Sequence, residues 1–417
     1  MKRISILLSA AILATLVYNC TEENEVKKTT TDGGDGKSEY AIADVSRESG
    51  YAETSTSDGS YGSPSGTGNG DTTQVNQYEP GQVTAAEWDD LDNWDFWMDL
   101  GQNQLFTTTQ NNWQFYQFSR YSFEIKDKYD FPLIDCEIQL KNSQGDAVWT
   151  ARTDNEGKAE LWLNLNGQSD SDPTAIVYYK GEPTEVSNPL PYAAGVNEVK
   201  IGNEAETLIK ADILFVVDAT GSMSDEINYL KSELLSVING VEKLNAQLDL
   251  RLGSVFYRDE GDEYLTRVTP FSANIESTLN FIKEQEATGG GDFPEAVHTA
   301  LNIALTQLSW SESARTRILF LLLDAPPHNI PGIVNDIRDA VRDAAEKGIK
   351  IIPITASGID KDTEFLMRYF AIATNGTYVF ITDDSGIGGD HLEATVGEYE
   401  VELLNDIMVR LIDKYTR

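Results

Sequence analysis

Residues 212–223 read DILFVVDATGSM. An unbroken apolar run from Ile213 to Val217 suits a strand buried on both faces, and Asp218 ends it. The following stretch, SDEINYLKSELLSVINGVEKLN from Ser224, repeats apolar residues at helical spacing. Asp218, Thr220 and Ser222 therefore offer three oxygen-bearing side chains at alternate positions where a strand becomes a helix. Four further apolar runs, LDLRLGSVFY (248–257), RILFLLLD (317–324), IKIIPITA (349–356) and GTYVFIT (376–382), alternate with helical stretches. That order predicts an α/β fold: a doubly wound, mostly parallel, Rossmann-like sheet over residues 208–417. Ligands of such sheets bind beyond the carboxyl ends of the strands. Asp218 and Asp324 each terminate an apolar run, so the fold brings them to the same edge.

The totals narrow the chemistry. The chain has 417 residues, enough for more than one domain, with 32 Lys and Arg against 68 Asp and Glu, a net charge of −36. Phosphate backbones are repelled by such a surface, which argues against nucleic acid and suits divalent cations or basic surfaces. Cys20 and Cys136 are the only cysteines, so no disulfide framework exists. No HExxH, CxxC, P-loop or GxSxG occurs, and only three histidines are present. A binding protein, not an enzyme, is the expectation.

Upstream of residue 208 the period is two. RYSFEIKD, CEIQLKN, AVWTART, KAELWLN and AIVYYK alternate apolar and polar residues between the turns NSQGD, DNEG and NGQSDSDP. An antiparallel β-sandwich over 118–207 follows. Cys136 falls among core positions of that pattern and reads as an inert buried thiol. Before it, TAAEWDDLDNWDFWMDL spaces Trp88, Leu91, Trp94, Trp97 and Met98 by threes and fours, which predicts a Trp-rich helical segment over 86–117 that packs on a neighbouring domain. Residues 21–85 are rich in Gly, Ser, Thr and Asp and read as a disordered linker.

Three segments resemble known families. MKRISILLSAAILATLVYNC, residues 1–20, resembles a bacterial lipoprotein signal ending at a lipid-bearing Cys20, and TEENE after it resembles a surface-export signal. That implies an outer-membrane lipoprotein, membrane-held through its lipid and facing the cell surface, with a periplasm-facing protein as the alternative. The run from Phe123 to Leu163, with PLIDCEIQL and TDNEGKAEL, resembles the carboxypeptidase-regulatory, transthyretin-like sandwiches, which act as stalks.

The DATGSM stretch is similar to the DxSxS metal motif of von Willebrand factor A domains. LRLGSVFYRD (250–259), GGGDFPEAVHTAL (289–301) and LFLLLDAPPH (319–328) further resemble the I-like domain of integrin β subunits. The resemblance implies a metal-ion-dependent adhesion site holding Mg²⁺ (or Mn²⁺), with Asp218, Thr220, Ser222, Glu295 and Asp324 as ligands or their immediate supports. Thr288 is a rival for the role given to Glu295. Adjacent Ca²⁺ sites would use Asp225 and Glu226 on one side, and Asp259, Asp292 and the Pro294 carbonyl on the other. Gly290 stands where the latter site expects a side-chain ligand. His298 and His328 read as structural. Without the metal role, Asp218 would simply cap the following helix, and Asp225 and Glu226 would complement its dipole. Mg²⁺ demands a tight shell of oxygens, and hydroxyls supply oxygen without adding charge, so such a site can accept an acidic side chain from a protein partner. Adhesion or ligand capture is thus the implied function. Envelope-complex assembly is the alternative, and a metal-dependent hydrolase is the third reading.

Overall fold

The computed structural model describes residues 79–417, apart from 117–118, 166, 168–169 and 245–246 and the side chains of 225 and 242–244. The leader, Cys20 and nearly all of the 21–85 segment lie outside the described residues. The described chain opens with strand β1 (Thr84–Trp88), followed by α1 (Trp94–Asp99) and α2 (Gln104–Trp113). The helical spacing around Trp88 is therefore misleading at its start. Trp88 closes a strand and Leu91 sits in a turn, whereas Trp94 and Trp97 do reach a helix. Trp97 is buried and Met98 faces solvent.

Seven strands follow: β2 (Ser119–Lys126), β3 (Glu137–Lys141), β4 (Ala147–Arg152), β5 (Lys158–Leu163), β6 (Thr174–Tyr179), β7 (Glu182–Ser187) and β8 (Asn197–Lys200). They form two sheets, ordered β5-β2-β8 and β4-β3-β6-β7. All pairs are antiparallel except β2 with β8, which is parallel. Ile138 and Leu140 of β3 and Ala175, Val177 and Tyr179 of β6 point inward, as the period of two requires. Cys136 is buried among them, and that burial pushes its thiol up to about 12.

The α/β part contains β9 (Lys210–Asp218), α3 (Ile227–Leu244), β10 (Asp249–Tyr257), β11 (Thr266–Ser272), α4 (Ile275–Lys283), α5 (Val297–Asn302), β12 (Thr316–Leu323), α6 (Pro331–Glu346), β13 (Ile349–Thr355), α7 (Lys361–Ala373), β14 (Tyr378–Ile381), β15 (Glu402–Leu403) and α8 (Leu404–Thr416). Its sheet has eight strands in the order β11-β10-β9-β12-β13-β14-β1-β15. The five strands from β10 to β14 in that order run parallel, while β11, β1 and β15 are antiparallel to their neighbours. Alternate residues of β9 feed two cores. Ile213, Phe215 and Val217 meet α3 and α8, and Leu214 and Val216 meet the layer of α5, α6 and α7. The strand order reverses at β9, with β10 on one side and β12 on the other. A crevice at the carboxyl ends of these strands is the usual ligand position.

The strand at Thr84–Trp88 forms because β14 presents an unpaired edge. Ala85 pairs with Ile381 and Trp88 with Tyr378, and this ladder outweighs the local helical spacing. The segment before it is held by the buried Glu233 of α3, whose carboxylate accepts the amides of Gly81, Gln82 and Val83 at 2.9–3.3 Å. Glu233→Ala leaves those amides without an acceptor, and a loss of about 2–3 kcal/mol in urea unfolding is expected. The sandwich is not a separate stalk. The described residues from 79 onward form one compact unit, and one hydrophobic cluster runs from Ile138 and Trp149 to Val334 and Ile337 of α6. Asp135 and Arg317, both buried, join the two parts through a bidentate ion pair at 2.8 and 2.9 Å.

Candidate metal centre

Three loops meet at the switch point. Asp218, the last residue of β9, is fully buried and level with Tyr257 of β10. Its Oδ1 accepts the amide and the hydroxyl of Thr220 at 2.9 and 2.7 Å. Thr220 Oγ1 lies 3.2 Å from Ser222 Oγ, so the three residues form one linked row, with Ser222 exposed at its outer end. Asp218 Oδ2 is buried and has no hydrogen-bond partner. The buried Tyr257 hydroxyl lies beside Asp218 without reaching good hydrogen-bond geometry.

The second and third loops brace each other. The amide of Glu295 donates to the Pro326 carbonyl at 2.9 Å, and Glu295 bridges to Pro327. Glu295 is buried, and its Oε2 also lacks a hydrogen-bond partner. Asp324, one residue beyond β12, is buried close enough to raise the carboxyl of Asp218 by repulsion. The structure therefore gathers Asp218, Thr220, Ser222, Glu295 and Asp324 at one strand edge. Thr288 instead contributes its backbone: its amide donates to the Ala219 carbonyl at 3.1 Å while the residue is exposed.

Burial and mutual repulsion dominate the electrostatics. Asp218 is raised to about 7, first by burial and then by Asp324. Glu295 is raised to about 9, first by burial and then by Asp218, Asp259 and Asp324. A cation would favour the ionised form of both groups. Among the described residues, no three Asp, Glu, His or Cys side chains gather closely enough to hold a metal by themselves. A cation at this edge thus needs the Thr220 and Ser222 hydroxyls and water besides the carboxylates. The two unpartnered carboxylate oxygens beside that hydroxyl row fit a hard, oxygen-seeking ion.

Two glycines explain the shape of the second loop. The Gly221 amide donates to the Gly289 carbonyl at 3.0 Å, and a Cβ on Gly221 would stand 2.8 Å from that oxygen. Gly290 has φ +74°, and a Cβ there would meet Glu295 Oε1 at 3.1 Å and Thr220 Cβ at 3.3 Å. No side-chain ligand can occupy that position without moving the site. Asp262, which sequence reading overlooked, anchors the loop instead by accepting the Gly290 amide at 2.9 and 3.1 Å. Nothing in the order of residues 259–263 distinguishes it from neighbouring acids.

Of the flanking candidates, Asp259 and one oxygen of Glu226 have partners, while Glu226 Oε2 is buried without one. Asp259 Oδ1 lies 2.9 Å from His328 Nε2, Asp292 is exposed on the rim, and Pro294 leads into Glu295. Glu226 is buried, with Oε1 accepting the Ser357 amide at 3.0 Å and lying 3.1 Å from His391 Nε2. The Asp225 side chain lies outside the described residues. His328 thus supports Asp259, and His298 on α5 lies 3.2 Å from the Thr299 hydroxyl.

Residues 212–390 match the von Willebrand factor type A domain family. The match lies within the α/β part and covers less than half of the chain. The chain is 32% identical over 118 residues, 28% of its length, to an ariadne-like RING finger protein of Acanthamoeba polyphaga mimivirus, and spans 11% of that protein. It is 25% identical over 174 residues, 41% of its length, to an alpha-protein kinase of Dictyostelium discoideum, and spans 27% of that one. Among solved structures, an aerotolerance-related membrane protein from Bacteroides fragilis aligns over 49% of this chain and 99% of its own at 14% identity, with a TM-score of 0.33.

Proposed function

We propose that the domain captures an acidic side chain of a protein partner at the ends of β9 and β12, with a divalent cation, Mg²⁺ or Mn²⁺, between them. The observation that carries this reading is the pair of buried, unpartnered oxygens, Asp218 Oδ2 and Glu295 Oε2, beside the Thr220–Ser222 hydroxyl row. Bound there, the cation would supply the positive charge that turns a carboxylate-rich edge into an acceptor of carboxylate. Asp218, Glu295 and Asp324 would hold it directly or through water. Thr220 and Ser222 would complete its oxygen shell without neutralising it further, and Ser222, exposed, faces the incoming partner. Without the cation, the acidic rim of Asp259, Asp262 and Asp292 would repel the same group.

Two apolar side chains flank the edge. Phe293 is 44% exposed and Ile330 is 56% exposed, on loops tied together by the Glu295–Pro327 bridge. They offer the partner a dry contact beside the ionic one. In a pull-down on immobilised full-length protein, Phe293→Ser should weaken partner retention about tenfold and leave Mg²⁺ affinity unchanged.

The role is binding, with no catalytic step assigned. Calcium at Asp225 and Glu226, or at Asp259, Asp292 and Pro294, is a secondary part of the reading. The leader and Cys20 support a lipid-anchored outer-membrane protein facing the surface. Among the described residues, no helix is long and apolar enough to cross a membrane. A comparison of partner capture in Mg²⁺ and in EDTA tests the site. Retention that EDTA does not diminish overturns it. Co-purification with envelope proteins in place of an external ligand would favour the assembly role. Protease shaving of intact cells tests the location.

A further inference from the structure

A cleft of about 300 Å³ lies between the antiparallel sheets and α6, away from the strand-end site. Two of its lining donors are unsatisfied. Trp162 is 1% exposed, and its indole N–H makes no hydrogen bond. Arg342 Nε is buried and also without a hydrogen-bond partner among the described residues. In a chain with 68 acidic and 32 basic residues, an arginine without a bonded carboxylate is itself informative. Buried donors without acceptors cost free energy, so two in one cleft point to an acceptor that arrives from outside. A guanidinium beside an indole N–H suits an anion, and a planar carboxylate fits its fork best.

The remaining wall has the opposite preference. Asp170 also lines the cleft; it accepts the amide and hydroxyl of Ser143 at 3.1 and 3.2 Å, and those bonds, the Ser143 amide foremost, hold its carboxyl below the usual range. The side-chain amides of Asn142 and Gln144 border the same space. An ionised acceptor with amides beside it suits hydroxyl groups, and it opposes a doubly charged phosphate. The cleft volume is at the small end of ligand pockets, a size for one sugar ring.

We propose that this cleft binds a carboxylated sugar of the hexuronate class, with its carboxylate on Arg342 and Trp162 and its hydroxyls toward Asp170, Asn142 and Gln144. The site is independent of the cation centre, so EDTA should leave it unaffected.

Titration of the full-length protein with glucuronate, glucose and acetate, read by tryptophan fluorescence and calorimetry, tests the proposal. Glucuronate should saturate and bind about tenfold or more tighter than either control, because only it carries both the carboxylate and the hydroxyls. Arg342→Gln should weaken glucuronate about tenfold or more with an unchanged melting curve. Trp162→Phe, which keeps the ring and removes only the N–H, should weaken it several-fold. Three results would overturn the assignment: no saturable signal at about 10 mM glucuronate, glucose binding as tightly, or undiminished glucuronate affinity in both variants.

Discussion

Asp218→Asn should make the metal-free protein more stable at alkaline pH while abolishing its response to Mg²⁺ and its Mg²⁺-dependent partner capture. The reasoning is proton linkage. In the unfolded chain Asp218 and Glu295 ionise near 3.8 and 4.5, but in the folded protein they keep their protons to about 7 and about 9. The folded state therefore binds more protons between those limits, so stability falls as pH rises from about 4 to about 9. For Asp218 alone, a rise from 3.8 to about 7 corresponds to about 4 kcal/mol at alkaline pH. The asparagine removes that charge and keeps the shape. A bound divalent cation offsets the same repulsion in the wild type, with proton release, and at 100 times Kd it adds about 2.7 kcal/mol by mass action. Melting curves at about pH 6 and about pH 8.5, with and without Mg²⁺, check this. The Mg²⁺ increment should be larger at the higher pH in wild type and absent in Asp218→Asn. Equal increments in the two proteins would place the cation elsewhere.

Asp135→Ala is expected to cost about 3–5 kcal/mol, because it strands the buried Arg317 guanidinium between the sandwich and β12. Asp135 also accepts the Ala314 amide at 3.1 Å, so a second buried donor loses its partner. Urea unfolding measured for the single variants and for Asp135→Ala with Arg317→Met separates the two effects. The double variant should recover part of the loss, since an apolar side chain of similar length carries no uncompensated charge. Full additivity would mean that the two residues are not coupled. Because one hydrophobic cluster spans both parts, unfolding should remain a single transition in the wild type.

The order of apolar runs from Asp212 to Thr382 was sufficient to predict the parallel sheet, because strands buried on both faces leave an unambiguous hydrophobic signature. The alternation around Ile138, Trp149 and Val177 was equally sufficient for the antiparallel sheets. Asp218 and Asp324 were legible as a pair for a related reason: a polar residue that ends a buried strand, in a doubly wound sheet, can only reach one edge; Glu295, which ends no strand, entered the set only through the resemblance of its loop. Three features depended on contacts between residues far apart in sequence. Thr84–Trp88 became a strand because the edge of β14 offered a ladder that the local helical spacing could not anticipate. The sandwich lost its independence through the Asp135–Arg317 pair and the apolar seam with α6, neither of which has a local signature. Glu226 and Asp259 have the residue type of cation ligands, yet the Ser357 amide and His391 already reach Glu226 Oε1 and His328 reaches Asp259 Oδ1, while Glu226 Oε2 has no hydrogen-bond partner. A sequence specifies which side chains can bind an ion. Only the folded chain decides which of their oxygens are already engaged, because a hydrogen bond is a matter of ångströms between segments that the sequence leaves a hundred residues apart.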